Sequence, residues 1–381
     1  MQPGHTFDGE YRTFNDAQTG AVIHQLTDDQ SINHSLFFLN PSFRPGNNDQ
    51  VTFITERFGS PQLCLFDFAD ETARVLTDVE GLQPFSPKFS LDGQLLYFTT
   101  STGKVMQVDV DSRETSTLAE QPGANLGEAA LSHDGKYIVS AMKGTGKFGL
   151  MVTDVAARTS KVILETDLQI IHPQFHPTDS NLIEYAGHPT PRLWLISRDG
   201  SNNHCPYENE WNEFIVHESF LGKSDDLIFA IWPKRLGKFN IKTKELSTIV
   251  ELNAWHMVSN RDGSLIVSDT SHPDRGLLLI DPTTGTYNML CQPGASCHGS
   301  QWQHDHPATP DAWKKQPSED ADPRVLSWME MKVDTVYGPQ WTHPHPAFND
   351  DGSRVVYTSD ASGHPQVYIV EIGKEHLPAD A

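Results

Sequence analysis

The chain has 381 residues, 37% of them hydrophobic and 20% charged, which is enough apolar material for a substantial core and far from the composition of disordered chains. Its 28 Lys and Arg against 50 Asp and Glu give a formal charge of -22, a field that repels nucleic acid and anionic lipid, so neither is expected as a partner. An acidic substrate meets the same repulsion and requires a local cationic or metal centre.

No run of about 18 apolar residues occurs, and the polar start from Met1 to Tyr11 has no signal-peptide pattern, so a membrane span is not expected and the cytoplasm is the expected compartment. Cys64, Cys205, Cys291 and Cys297 lack the CxxC spacing of zinc or redox sites and read as reduced thiols.

In chain order, the first predicted element is a strand over residues 20–26, expected beside the C-terminal strands so that no sheet edge stays open. A repeat follows. Its copies are Asn40-Pro-Ser-Phe43, Ser86-Pro-Lys-Phe89, Glu128-Ala-Ala-Leu131, His172-Pro-Gln-Phe175, His217-Glu-Ser-Phe220, His256-Met-Val-Ser259 and His345-Pro-Ala-Phe348. Turns come shortly after each, as at Asp92-Gly93, Asp134-Gly135, Asp262-Gly263 and Asp351-Gly352, where such residues tolerate positive φ. Runs such as Leu95-Leu-Tyr-Phe98 and Val355-Val-Tyr357, then Leu193-Trp-Leu-Ile196 and Val367-Tyr-Ile-Val370, are the β-branched and aromatic stretches that strands prefer.

Seven copies roughly 40 to 46 residues apart, each with about four short strands, predict one all-β domain over residues 1–381, a seven-bladed β-propeller. The long gap between the sixth and seventh copies, at about 291–339, reads as an inserted loop over one face.

Aligning the copies puts Asn40, Ser86, Glu128, His172, His217, His256 and His345 in one column, at the position that rings the central channel. Four histidines there make this end the candidate site. In Gln340-Trp-Thr-His343-Pro-His345, two imidazoles two residues apart point the same way from extended backbone, a spacing that suits metal ligation. With His256 and the Gln340 carbonyl they form an N/O set for a borderline divalent ion such as Mn²⁺. His217, outside that set, is placed to act as a base near neutral pH. Arg192 either contacts a substrate carboxylate or is an ordinary exposed arginine. His172 and His34 either contact substrate or serve the local strand. His304 and His306 lie in the insertion and read as backbone hydrogen-bonding groups. No GxSxG, phosphate-cradling loop or Cys/His signature is present.

At these residues the sequence resembles the oligogalacturonate lyase family of polysaccharide lyases. The likeness runs from Gly4-His-Thr-Phe7 and His34-Ser-Leu-Phe-Phe38 through Arg192-Leu-Trp194 and His217-Glu-Ser-Phe220 to Trp255-His256 and Gln340-x-x-His343-Pro-His345. The resemblance implies a propeller that binds Mn²⁺ through His256, Gln340, His343 and His345 and splits short, often unsaturated, galacturonide oligomers by β-elimination inside the cell. It further implies His217 as the base and Arg192 as a catalytic arginine. The insertion, longest over 303–335, departs from the family and leaves two alternatives open: a related lyase for another uronate-containing oligosaccharide, and a non-catalytic sugar-binding propeller. Oligomeric state, chain-length preference and native metal are not readable from the sequence.

Overall fold

The computed structural model describes residues 3–188, 191–210, 213–271, 273–296 and 342–379. Its strands form seven antiparallel sheets following one another around a central channel, which is the seven-bladed propeller that the repeat predicts. The fifth blade shows the plan: Phe214–Phe220 runs along the channel, and Asp226–Trp232, Arg235–Asn240 and Leu246–Val250 step outward.

The middle strands, such as Tyr137–Lys143 and Asp226–Trp232, are buried on both faces because each blade packs between two others, while an outer strand such as Thr72–Val75 alternates. Every core lies between neighbours. Seven apolar clusters each join two adjacent blades, as where Phe214, Trp232 and Leu236 of the fifth meet Trp255, Ile266 and Ile280 of the sixth. The ring closes through the predicted N-terminal strand, observed as Val22–Gln25, which pairs with Gln366–Glu371 through Ile23↔Val370 and His24↔Ile369. Thr6–Phe7 goes further and pairs with Thr72–Val75 of the first blade.

The Asp-Gly turns gather at the end of the channel away from the histidines. Gly93 shows why glycine stands there: its φ is +71°, and a Cβ would come 2.7 Å from the Pro45 carbonyl oxygen.

The fourth blade departs from the expected four strands. It has three, and its outer edge is reduced to a bridge between Leu195 and His204. The physical cause is the polar run Arg198-Asp-Gly-Ser-Asn202 after its third strand, whose side chains turn the backbone instead of alternating across a sheet. Cys64, Cys205 and Cys291 are free thiols, and Cys297 lies outside the described residues. So does most of the expected insertion, including 303–335, His304 and His306. Its flanks Ser296 and Thr342 stand together, with the Thr342 N–H donating to Ser296 Oγ at 3.3 Å.

Ring closure gives a direct stability prediction. Ile23, 2% exposed, packs into the cluster between the sixth and seventh blades. Ile23→Ala should cost about 2–4 kcal/mol in urea unfolding, whereas Thr13→Ala on the exposed strand beside it should stay within about 0.5 kcal/mol.

Candidate active site at the histidine end of the channel

The column predicted from the repeat is built by a recurring irregularity. The innermost strands of the third to sixth blades each break register at the column residue: between Leu126 and Ala129, Ile171 and Gln174, Val216 and Ser219, and Ala254 and Met257. Such a bulge unpairs a residue and re-aims its side chain. At His172, His217 and His345 the backbone also enters the left-handed region, with φ of 53°, 59° and 47°. Non-glycine residues rarely adopt it, and each instance costs on the order of 1–3 kcal/mol, a strain that clusters at functional sites.

The turned side chains meet. The His256 ring centroid lies 3.8 Å from that of His345, 4.0 Å from His217 and 5.5 Å from His343, and His172 stands 5.6 Å from His217. Below them the loop after Asn33–Ser35 drives Phe37 and Phe38 into the axis. Phe38 lies 5.4–6.1 Å from the rings of His256, His217, His172 and His345.

The His217 and His256 imidazoles are each held by a specific partner. The His217 Nδ1–H donates to the Trp255 carbonyl at 2.7 Å, which fixes the tautomer and leaves the lone pair on Nε2. Asp269 accepts the His256 backbone N–H at 2.6 Å and shares a hydrogen bond with His256 Nδ1 at 2.8 Å. Its second oxygen also accepts the His345 backbone N–H at 3.4 Å. One carboxylate thereby positions two of the expected metal ligands, leaving Nε2 as the outward nitrogen of His256.

Burial, then positive neighbours, holds His217, His256 and His345 well below the usual imidazole range, so all three are neutral near pH 7. Burial pushes Asp269 up to about 7.

Arg192 is 3% exposed and grips Glu218 through Nε at 2.5 Å and Nη2 at 3.0 Å. His172 joins the same group, its Nδ1 lying 3.4 Å from Glu218 Oε2, while Glu128 accepts the His172 backbone N–H. Burial alone would raise Glu218, but Arg192 and His172 pull its carboxyl well below the ordinary range. Glu184, buried nearby and facing the ionised Glu218, is raised well above its ordinary value, by burial first.

The structure thus brings together His172, His217, His256, His343 and His345, with Arg192 adjoining through Glu218. His34 is 0% exposed beneath them, its Nδ1–H donating to the Ser35 carbonyl at 2.7 Å. Gln340 lies outside the described residues. Sequence reasoning missed Glu218, Asp269, Phe37 and Phe38. Glu218 directly follows His217 and Phe38 ends the His34-Ser-Leu-Phe-Phe38 motif, so adjacency was an available signal for both; Asp269 had none.

Among the described residues no three His, Cys, Asp or Glu side chains are already arranged to hold a metal ion. The donor chemistry nevertheless fits one. His256, His343 and His345 are 3–8% exposed imidazoles, nitrogen ligands suited to a borderline divalent ion, and the first is backed by a carboxylate as metal-binding histidines commonly are.

The buried His34 supplies a pH prediction. Burial lowers it from an ordinary 6.5 to about 4, so its stabilisation is complete above pH 6.5 and is lost as pH falls toward 4. Between pH 7 and pH 4.5, urea unfolding of His34→Leu should gain about 2–3 kcal/mol relative to the unsubstituted chain.

No protein-family model matches the chain. It is 24% identical over 429 residues to the oligogalacturonide lyase of Pectobacterium atrosepticum, with 98% of each chain covered. It is likewise 24% identical to the oligogalacturonate lyase of Dickeya dadantii, again with 98% of each covered. Among solved structures, an oligogalacturonate lyase in complex with manganese superposes with a TM-score of 0.79 at 21% identity, covering 98% of this chain and 99% of the other. The oligogalacturonate lyase of Vibrio parahaemolyticus gives 0.79 at 19%, covering 98% and 100%. In sequence over nearly its whole length, and in the propeller that carries it, this chain is similar to the oligogalacturonate lyases.

Proposed function

We propose that the chain is an oligogalacturonate lyase, splitting short galacturonide oligomers by β-elimination to 4,5-unsaturated uronates. One observation carries the mechanism: His217 is neutral, its tautomer is fixed by the Trp255 carbonyl, and its ring lies 4.0 Å from that of His256. That is a base placed beside a candidate metal ligand.

His256, His343, His345 and Gln340 would hold the metal, Mn²⁺ by this reading. When bound, the ion supplies a Lewis acid that binds the uronate carboxylate and neutralises charge developing as the C5 proton leaves. His217 takes that proton on Nε2, while the hydrogen bond from Nδ1 to Trp255 keeps the ring in line. Loss of the C5 proton drives rupture of the C4–O bond, the departing oxygen takes up one proton in place of the one lost at C5, and no water is consumed. Arg192, held edge-on by Glu218, which balances its charge, orients the same sugar by hydrogen bonding. The net local positive charge that a chain of net charge -22 needs near a polyanion comes from the metal. His172, between Glu128 and Glu218, flanks the sugar. Of the two readings of His34, substrate contact or support of the local strand, its complete burial favours support.

The proposal extends to oligogalacturonide breakdown in the cytoplasm. The free thiols of Cys64, Cys205 and Cys291 support a reducing compartment. No helix among the described residues is long and apolar enough to cross a membrane.

His217→Ala should lower the growth of ultraviolet absorbance from the conjugated product by roughly 10²–10⁴-fold while binding Mn²⁺ as before. Turnover that survives the substitution would remove His217 as the base. EDTA should abolish activity and Mn²⁺ restore it; full activity in metal-free protein would exclude metal assistance.

Asp269→Asn tests the support of the ligands separately. It should weaken Mn²⁺ roughly 10–100-fold, read by equilibrium dialysis without substrate, while activity at saturating Mn²⁺ recovers far more than in His217→Ala.

A further inference from the structure

Phe37 and Phe38 close the channel, and below them, at the mouth lined by the Asp-Gly turns, lies a cavity of about 380 Å³. It lies within the size range of pockets that enclose small organic molecules. Its walls include Phe175, Phe220, Val258 and Phe348, and its back includes Phe38 and Gln174. Phe38 is therefore a septum, facing this cavity on one side and the histidine rings on the other.

The charge of this mouth runs against that of the molecule. In a chain of net charge -22, the cavity is lined by three cations, Lys88, Lys223 and Arg261, and one carboxylate, Asp350. None of the three cations forms an ion pair with a described residue. Lys223 and Arg261 are exposed at the rim, whereas Lys88 is half-buried, and among the described residues its Nζ donates only to the Leu39 carbonyl, at 3.3 Å. Burial lowers Lys88 to about 8, against the pull of Asp350, so it is still largely charged near pH 7.

We propose that this mouth is a binding site, separate from the histidine end, for a small organic carboxylate: the charged head meets Lys88 and the rim cations, and the body rests on the phenylalanine walls. The walls argue for an organic body over an inorganic ion. The single inner cation matches a singly charged head better than a phosphate dianion, which draws on several donors at once.

Isothermal titration at pH 7 with benzoate, its neutral isostere benzamide, and inorganic phosphate tests the assignment. Benzoate should bind one to one and at least 10-fold more tightly than benzamide or phosphate. Lys88→Met should weaken benzoate at least 10-fold while leaving lyase turnover and the unfolding midpoint close to unchanged. Arg261→Met, at the exposed rim, should weaken it about 3-fold and gives an independent reading if Lys88→Met folds poorly. Benzoate affinity that neither substitution changes would place the ligand elsewhere, including the histidine end. Equal binding of benzamide would remove the role of charge, and tighter binding of phosphate would make this an inorganic-anion site; each result overturns the proposal. All of these titrations are independent of whether the histidine end turns over uronides.

Discussion

The structure depends on where a propeller puts its apolar surface. Seven blades bury their faces against one another, so each core lies between neighbours and the axis is left to be filled by other means. Here Phe37 and Phe38 fill it, and the innermost strands add one unpaired residue each in four consecutive blades. The rings are aimed by backbone held in the left-handed region at His172, His217 and His345. Sheets locked on both sides by their neighbours over-determine that conformation, which an isolated strand would relax.

Burial then decides the charge states. Imidazoles beside one another and out of water stay neutral, and that is the state a metal ligand or a general base needs. Carboxylates behind them divide by partner: Glu218 stays ionised against Arg192, while Glu184 and Asp269 are raised. The site is thus divided into an ion-paired side built on Arg192 and Glu218 and an imidazole side built on His256 and Asp269, with His217 between them.

The architecture and the histidine column were legible in the sequence because turn spacing and strand periodicity repeat at fixed intervals, and aligning them superposes residues that share one position in space. The closing strand was legible because a closed ring leaves no sheet edge open. The carboxylates behind the histidines were not. Asp269 lies 13 residues from His256 and Glu218 lies 26 from Arg192, on strands whose pairing only the folded blades establish. Phe37 and Phe38 read as ordinary apolar strand residues until the loop carries them into the axis. The reduced fourth blade escaped because a polar run signals a turn without saying which strand is lost. Gln340 and the insertion fall outside the described residues.

The most direct test of the central claim, that the histidine end performs an elimination, is the fate of solvent oxygen. Trigalacturonate cleaved by the Mn²⁺-loaded protein in heavy-oxygen water should give unsaturated product, lighter by one water than the hydrolytic product and free of the label. Saturated products carrying the label would show hydrolysis, and intact trigalacturonate would show no cleavage; either would contradict the account.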